Sequence, residues 1–275
     1  MIDISKIDYS VLDRPEILML LFYPRKETTD FFSSVSDVKS IMIPIEAGVC
    51  LGSRCHIAGR DAANLLFFHG NGEIAADYDD IGALYKNFGI NLFVIDYRGY
   101  GVSTGYPTVT SMMRDCHVVF DFIKRWLTEN NYTGVFVVMG RSLGSASALE
   151  LAYHYKQDID GLIIESGFSH VNPLLQLLGI NLKQNGDKET EGYLNNVSKM
   201  RVFDKPTLII HAEYDHIIPY RQGEMLYDNC PAKIKKMLKI EDANHNNIFV
   251  YGKDSYMESI KWLVDNLKNK TVVCA

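Results

Sequence analysis

The chain has 275 residues and a formal net charge of −6, and its composition is 47% apolar and 23% charged. These proportions are typical of a folded globular protein and exclude a disordered chain. The negative charge argues against a nucleic-acid-binding protein, which needs a basic surface. The five cysteines are scattered without metal-binding spacing, a usage typical of reduced thiols in a cytoplasmic protein.

The N-terminal part of the chain lacks the pattern of a secretory signal peptide. No run approaches the ~20 apolar residues that a transmembrane helix needs. Residues 17–22 form a short apolar stretch, which we predict to be a helix packed on the core. Peripheral contact of this stretch with a membrane is the alternative. The oligomeric state is not specified by any sequence feature.

Strand-length apolar runs alternate with segments of helical periodicity along the chain. Strands are predicted at residues 38–45, 49–57, 65–68, 91–96, 135–139, 161–165, 207–211 and 236–240. Helices are predicted at residues 74–87, 112–130, 142–155 and 256–267. The first two strands are expected to pair antiparallel. The remaining alternation predicts an α/β fold with a mostly parallel sheet and helices on both faces, whose sites form beyond the carboxyl ends of the strands.

A Gly-x-Ser-x-Gly motif occupies residues 140–144, with Ser142 at its centre. The motif alone is weak, but here it follows an apolar strand directly and opens a helix, which is the setting of a nucleophile elbow. Such a turn projects the serine hydroxyl above the sheet, next to the free N–H groups of a helix N-terminus. We predict Ser142 as a nucleophile, and a serine that caps a helix is the alternative.

A nucleophilic serine needs a histidine base and a carboxylate that orients it. His245 lies in a polar loop between the last strand and the final helix, and Asp215 follows the strand at residues 207–211. The order serine, aspartate, histidine is the one that follows a nucleophile elbow. Glu165 also ends a strand and is the rival acid. His216 is expected to face solvent.

Two backbone N–H groups are needed to bind the oxyanion that forms during acyl transfer. One is expected from Leu143, the residue after the nucleophile, and the other from the loop at residues 69–72, with Asn71 as the predicted donor. His69 ends a strand and precedes Ser142 in the chain, whereas the base is expected to follow both the nucleophile and the acid. We therefore expect it to shape this loop.

These segments together resemble the α/β-hydrolase superfamily: His-Gly-Asn-Gly at residues 69–72, Asp-Tyr-Arg-Gly-Tyr-Gly-x-Ser at 96–103, the elbow at 140–144, Asp215 and His245. The chain is similar, from about residue 38 to 267, to the small-cap branch with abhydrolase-domain depalmitoylases and related bacterial hydrolases. It departs from that pattern at Ala212 and Ala243, where relatives often carry glycine. The cysteine-rich N-terminus of the palmitoylated animal relatives is also absent, so a membrane-anchored role does not carry over.

The chain length and the lack of a Pro/Gly/Ser-rich linker predict a single domain over residues 1–275, and the resemblance implies a short cap inserted at about residues 168–204. It implies hydrolysis of a carboxylic ester or thioester in a small-molecule or acylated substrate, through an acyl-enzyme on Ser142 and without a cofactor or metal. Amide or peptide hydrolysis, as in aminopeptidase-like relatives, is one alternative. A non-catalytic protein of the same fold that binds a ligand is the other.

Overall fold

The computed structural model describes residues 2–28, 38–171, 175 and 194–273, with side chains to residue 269. The strands are β1 (Val38–Glu46), β2 (Val49–His56), β3 (Ala63–Phe68), β4 (Ile90–Ile95), β5 (Phe136–Arg141), β6 (Gly161–Glu165), β7 (Thr207–Ala212) and β8 (Lys235–Ile240). The α-helices are α1 (Pro15–Leu21), α2 (Asp79–Asn87), α3 (Val109–Glu129), α4 (Gly144–His154), α5 (Asn196–Met200), α6 (Tyr220–Asp228) and α7 (Ile248–Val273). Short 3₁₀ helices lie at Ile4–Lys6, Ser10–Leu12 and Ala75–Tyr78.

The strands of the described residues form one sheet in the order β1-β2-β4-β3-β5-β6-β7-β8. β1 pairs antiparallel with β2, and β2 pairs antiparallel with β4. From β4 to β8 every neighbouring pair is parallel. The carboxyl ends of the parallel strands therefore share one edge of the sheet, and the loops that follow them meet there.

The core lies on both faces of the sheet, because alternate residues of a strand point to opposite sides. Leu66 and Val138 belong to the cluster packed under α3 and α4, whereas Leu65 and Val137 belong to the cluster packed under α7. Strands buried on both faces are continuous apolar runs. This explains why the central strands could be recognised in the sequence.

The predicted α/β fold is confirmed, and so is the opening antiparallel pair. Several helix boundaries differ from the prediction. α3 begins at Val109, because the Thr108 hydroxyl accepts a hydrogen bond from the N–H of Ser111 and caps the helix. The predicted helix at 74–87 divides into the Ala75–Tyr78 turn and α2. α7 begins at Ile248 and is kinked at Gly252, whose φ of −125° is not helical.

The N-terminal helix α1 packs on the core as predicted. Ile17 and Leu21 are buried in the cluster that also contains Phe22, whereas Met19 is 80% exposed. Within the described ranges, we find no helix with the length and apolarity that crossing a bilayer requires. Most of the predicted cap, residues 172–174 and 176–193, lies outside the described residues.

Candidate active site

The turn between β5 and α4 holds Ser142 in a left-handed backbone conformation with a φ of 51°. This conformation costs a non-glycine residue about 1–3 kcal/mol. A Cβ atom on Gly140 would lie 2.3 Å from the carbonyl oxygen of Gly144, and one on Gly144 would lie 2.1 Å from that of Phe68. Glycine is therefore required at both positions, because the backbones approach too closely for any side chain.

The loops after β7 and β8 bring Asp215 and His245 to this turn. Nε2 of His245 lies 3.0 Å from Oγ of Ser142, and Nδ1 of His245 lies 2.6 Å from Oδ2 of Asp215. All three residues are buried. A neutral imidazole that donates from Nδ1 to a carboxylate presents its Nε2 lone pair to the serine hydroxyl. The three predicted residues thus lie in one hydrogen-bonded chain.

Asp215 is fixed through its other carboxylate oxygen. Oδ1 accepts hydrogen bonds from the backbone N–H groups of Ile217, at 3.0 Å, and Ile218, at 2.7 Å. Burial by itself would raise the pKa of Asp215, but the hydrogen bond and charge of His245 outweigh it and hold this pKa below its ordinary value. The side chain is therefore an anion at neutral pH, with a fixed orientation toward the imidazole.

The rival acid Glu165 is bound elsewhere. Its Oε1 accepts from Nε of Arg141 at 3.0 Å, and its Oε2 accepts from the hydroxyl of Tyr256 at 2.6 Å. Burial raises the pKa of Glu165 despite the neighbouring guanidinium. Its carbonyl oxygen accepts from the N–H of Ser142 at 2.9 Å. The geometry therefore gives Glu165 a role in holding the elbow, and it places Asp215 on the imidazole.

Arg141 connects three parts of the site. Its Nε donates to Glu165 in β6, its Nη1 to Glu73 after β3, and its Nη2 to the carbonyl oxygen of His245 at 2.7 Å. Burial opposes a charged side chain here, but the two carboxylates raise the pKa of Arg141 above its ordinary value. The guanidinium stays charged and fixes the backbone of the histidine loop relative to the elbow.

The loop at residues 69–72 is held from several sides. Glu73 accepts from the N–H of Gly70 at 2.6 Å, and the hydroxyl of Tyr97 donates to the carbonyl oxygen of His69 at 2.6 Å.

The side chain of Asn71 is also held in place. Its Oδ1 accepts from the N–H of Tyr23 and from the hydroxyl of Tyr100, each at 2.7 Å. Oδ1 of the Asn71 side chain is thus held by structural hydrogen bonds, and the backbone N–H of Asn71 remains the predicted oxyanion donor.

The histidines that sequence analysis set aside are placed as expected. His69 is fully buried, with Nδ1 2.8 Å from the carbonyl oxygen of Gly70 and Nε2 3.3 Å from Oδ1 of Asp96. It therefore lies in the base of the loop, while His216 is exposed.

Three residues of the site have no signal in the sequence. Arg141 occupies an unconstrained position of the elbow motif, and its partners lie 24, 68 and 104 residues away along the chain. Tyr23 reaches Asn71 from 48 residues away. His211 lies 3.5 Å from Oδ2 of Asp215, with Nε2 2.8 Å from the carbonyl oxygen of Ile218. Burial lowers the pKa of His211, so this imidazole is neutral at pH 7.

Comparison with known proteins agrees with this architecture. The family model described as serine aminopeptidase, S33, matches residues 59–185. Alpha/beta hydrolase domain-containing protein 17C of Xenopus tropicalis is 28% identical over 230 residues, which are 80% of this chain and 68% of the relative. The human 17B protein is 28% identical over 225 residues, 78% of this chain and 70% of the relative. Together with the fold, these matches support membership of the α/β-hydrolase superfamily.

Other proteins that are similar to this chain differ in their descriptions. A Saccharomyces cerevisiae protein described as an uncharacterized membrane protein is 28% identical over 187 residues, which are 66% of this chain and 63% of its own length. Among solved structures, the Pyrococcus furiosus esterase Pf2001 aligns with a TM-score of 0.68 at 15% identity, covering 90% of this chain and 98% of the esterase. Est1E from Butyrivibrio proteoclasticus has a TM-score of 0.68 at 16% identity, covering 84% and 99%. The two structures share the fold, and the family matches support a hydrolase.

Proposed function

We propose that this α/β-hydrolase cleaves carboxylic esters or thioesters through an acyl-enzyme on Ser142. The observation that carries the proposal is the hydrogen-bonded chain in which Nε2 of His245 lies 3.0 Å from the Ser142 hydroxyl and Nδ1 lies 2.6 Å from Asp215. A serine hydroxyl at this distance from a basic nitrogen can lose its proton as it attacks a carbonyl carbon.

In the proposed mechanism, Oγ of Ser142 attacks the substrate carbonyl while His245 takes the hydroxyl proton. Asp215 stabilises the imidazolium that forms. The N–H groups of Leu143 and Asn71 bind the oxyanion of the tetrahedral intermediate. His245 then protonates the leaving alcohol or thiol, and the acyl group remains on Ser142. Water, deprotonated by His245, hydrolyses the acyl-enzyme and restores the hydroxyl. No step calls for a cofactor or a metal.

The whole chain is proposed to be one catalytic domain, with a short cap inserted at about residues 168–204 and a small-molecule or acylated substrate. A cytoplasmic location is inferred from cysteine usage. Among the described residues, Cys50, Cys55, Cys116 and Cys230 are free thiols, as expected in a reducing compartment.

Amide or peptide hydrolysis is the second candidate, and the match to a family model described as serine aminopeptidase favours it. The same triad serves both reactions, because the acyl-enzyme is common to them. The two candidates differ in the leaving group that His245 must protonate. Comparing the turnover of ester, thioester and amide substrates therefore distinguishes the two candidates.

The test is turnover of nitrophenyl esters and acyl thioesters of increasing chain length, alongside aminoacyl nitroanilides, together with labelling by a fluorophosphonate probe. Ester or thioester turnover and labelling are expected in the wild type and are expected to vanish in Ser142→Ala. Ser147→Ala is the matched control, because Ser147 is a buried serine of α4, the helix that follows the elbow, and this variant should keep both turnover and labelling. Turnover of the nitroanilides alone would establish the second candidate. Absence of labelling and of all turnover would leave a non-catalytic ligand-binding protein.

A further inference from the structure

Helices α3 and α4 bring a second group of polar side chains together, away from the elbow. His117 of α3 faces Glu150 and His154 of α4. α4 begins two residues after Ser142, and a helix rises about 1.5 Å per residue. His154 is the last residue of α4 and therefore lies roughly 15 Å along the helix axis from its first residue, Gly144, so the group lies outside the proposed mechanism.

The ligand-type atoms of this group have the spacing of a metal site. Oε1 of Glu150 lies 3.5 Å from Nε2 of His117 and 3.3 Å from Nε2 of His154. All three atoms lie within 4.8 Å of one another. Zinc bonds nitrogen and oxygen ligands at about 2.0–2.2 Å in a tetrahedron, so neighbouring ligand atoms are about 3.3–3.6 Å apart. The two measured separations from Glu150 fall in that range.

His117 supplies an independent observation. The residue is 1% exposed, and its Nε2 has no hydrogen-bond partner among the described residues. Its Nδ1 lies 3.0 Å from the hydroxyl of Tyr155. A metal-binding imidazole characteristically has its second nitrogen held in this way, which fixes the ring orientation. A buried nitrogen without a partner is costly, and here it lies 3.5 Å from the Glu150 carboxylate, in a ring whose centroid is 5.3 Å from that of His154.

The second oxygen of Glu150 is already occupied. Oε2 lies 2.6 Å from Nζ of Lys199, so only Oε1 is directed toward the two histidines. The Lys199 ammonium anchors the carboxylate but also lowers the attraction of the site for any cation. Two imidazoles and one oxygen favour zinc, copper or nickel over magnesium and calcium, which prefer sites built from oxygen.

We propose that His117, Glu150 and His154 bind one divalent transition-metal ion, with zinc as the first expectation, and that this ion joins α3 to α4. The partly exposed His154 side chain gives the ion access from solvent. Glu150 and His154 are four residues apart in α4, whereas the third ligand, His117, comes from α3, so the full set has no short spacing in the sequence. The proposal is independent of the hydrolase chemistry at Ser142.

The test is titration of chelator-treated protein with zinc chloride by calorimetry, with cobalt(II) absorption as a second readout of coordination. One zinc ion per chain is expected. His154→Ala removes a partly exposed ligand and should weaken binding by at least about tenfold. His216→Ala removes an exposed histidine elsewhere and should leave the affinity unchanged. No zinc binding by the wild type, or equal binding by His154→Ala, would overturn the proposal.

A second variant tests the role assigned to Lys199. Lys199→Met leaves Glu150 without its cation, so the Tm of the metal-free variant should fall. Zinc should then raise the Tm of Lys199→Met by more than that of the wild type, because the ion meets an uncompensated carboxylate. Equal zinc-induced shifts in Tm would contradict coordination by Glu150.

Discussion

Arg141→Lys is expected to slow catalysis more than it destabilises the fold. Arg141 makes three hydrogen bonds in different directions, to Glu165, Glu73 and the carbonyl oxygen of His245. Lysine keeps the charge, but its single ammonium cannot reproduce the planar fork of a guanidinium. The substitution therefore keeps a cation near the two carboxylates and releases the backbone of the histidine loop.

The size of the effect follows from these contacts. A hydrogen bond from a charged donor contributes about 1.5–3 kcal/mol, so loss of the bond to His245 should lower the free energy of unfolding by roughly 2 kcal/mol. A displacement of about 1 Å at a catalytic group costs about 100-fold in rate. We therefore expect kcat to fall about 100-fold with little change in KM.

The assay is steady-state hydrolysis of the best ester from the substrate series, combined with urea unfolding. Arg98→Lys is the matched control. Arg98 is also largely buried and forms a forked ion pair with Asp115, at 2.7 Å and 2.8 Å, so the variant should lose comparable stability with an unchanged kcat. A kcat of Arg141→Lys within about twofold of the wild type would refute the positioning argument.

The remaining predictions concern the acid and the elbow. Asp215→Asn should lower kcat by about 10³–10⁴-fold, because an amide cannot stabilise the His245 imidazolium, whereas Glu165→Gln should keep most of the activity. The pKa of Asp215 is lowered in the folded state, so its contribution to stability is complete above about pH 4 and is lost as the pH falls further. The difference in unfolding free energy between wild type and Asp215→Asn should therefore shrink in acid. Gly144→Ala places a Cβ 2.1 Å from the Phe68 carbonyl oxygen and should cost about 3 kcal/mol or more in stability, with loss of probe labelling.

Each of these predictions has an outcome that would contradict it, and the glycine substitution also has a control variant. Full activity in Asp215→Asn with a large loss in Glu165→Gln would reverse the assignment of the acid. A stability difference for Asp215→Asn that grows in acid would contradict the lowered pKa. Gly59→Ala is the control for the elbow, because its Cβ would lie no closer than 3.4 Å to a neighbouring atom, and its stability should change by less than about 0.5 kcal/mol. Wild-type stability in Gly144→Ala would refute the steric argument.

The strands could be predicted from the sequence because burial on both faces makes them uninterrupted apolar runs. The boundaries of the helices could be predicted less accurately. The start of α7 was missed because Gly252 interrupts the helical pattern after a single turn. The start of α3 depends on the hydrogen bond that the Thr108 side chain accepts at the helix N-terminus, and a single capping residue is a weak indication in a sequence.

The three residues at Ser142 could be predicted because each follows a strand of the parallel sheet, and the carboxyl ends of those strands meet at one edge. The residues that orient them could not. Arg141 and Tyr23 act through partners 24 to 104 residues away. Contacts between residues so far apart leave no periodic pattern or fixed spacing in the sequence from which they could be predicted. In the sequence, His211 is simply the polar residue near the end of an apolar strand. Its contact with Asp215 depends on the conformation of the turn after that strand, which the sequence pattern does not specify.

The hydrogen bond from the N–H of Tyr23 to Asn71 ties the N-terminal segment to the loop at residues 69–72, which is proposed to bind the oxyanion. Arg25 adds a hydrogen bond to the carbonyl oxygen of Gly72 at 3.2 Å. Removal of the chain up to Arg25, or a binding partner that lifts this segment, would loosen that loop while leaving Ser142 and His245 in place. A protein shortened in this way should then turn over substrate more slowly, although Ser142, Asp215 and His245 are all intact.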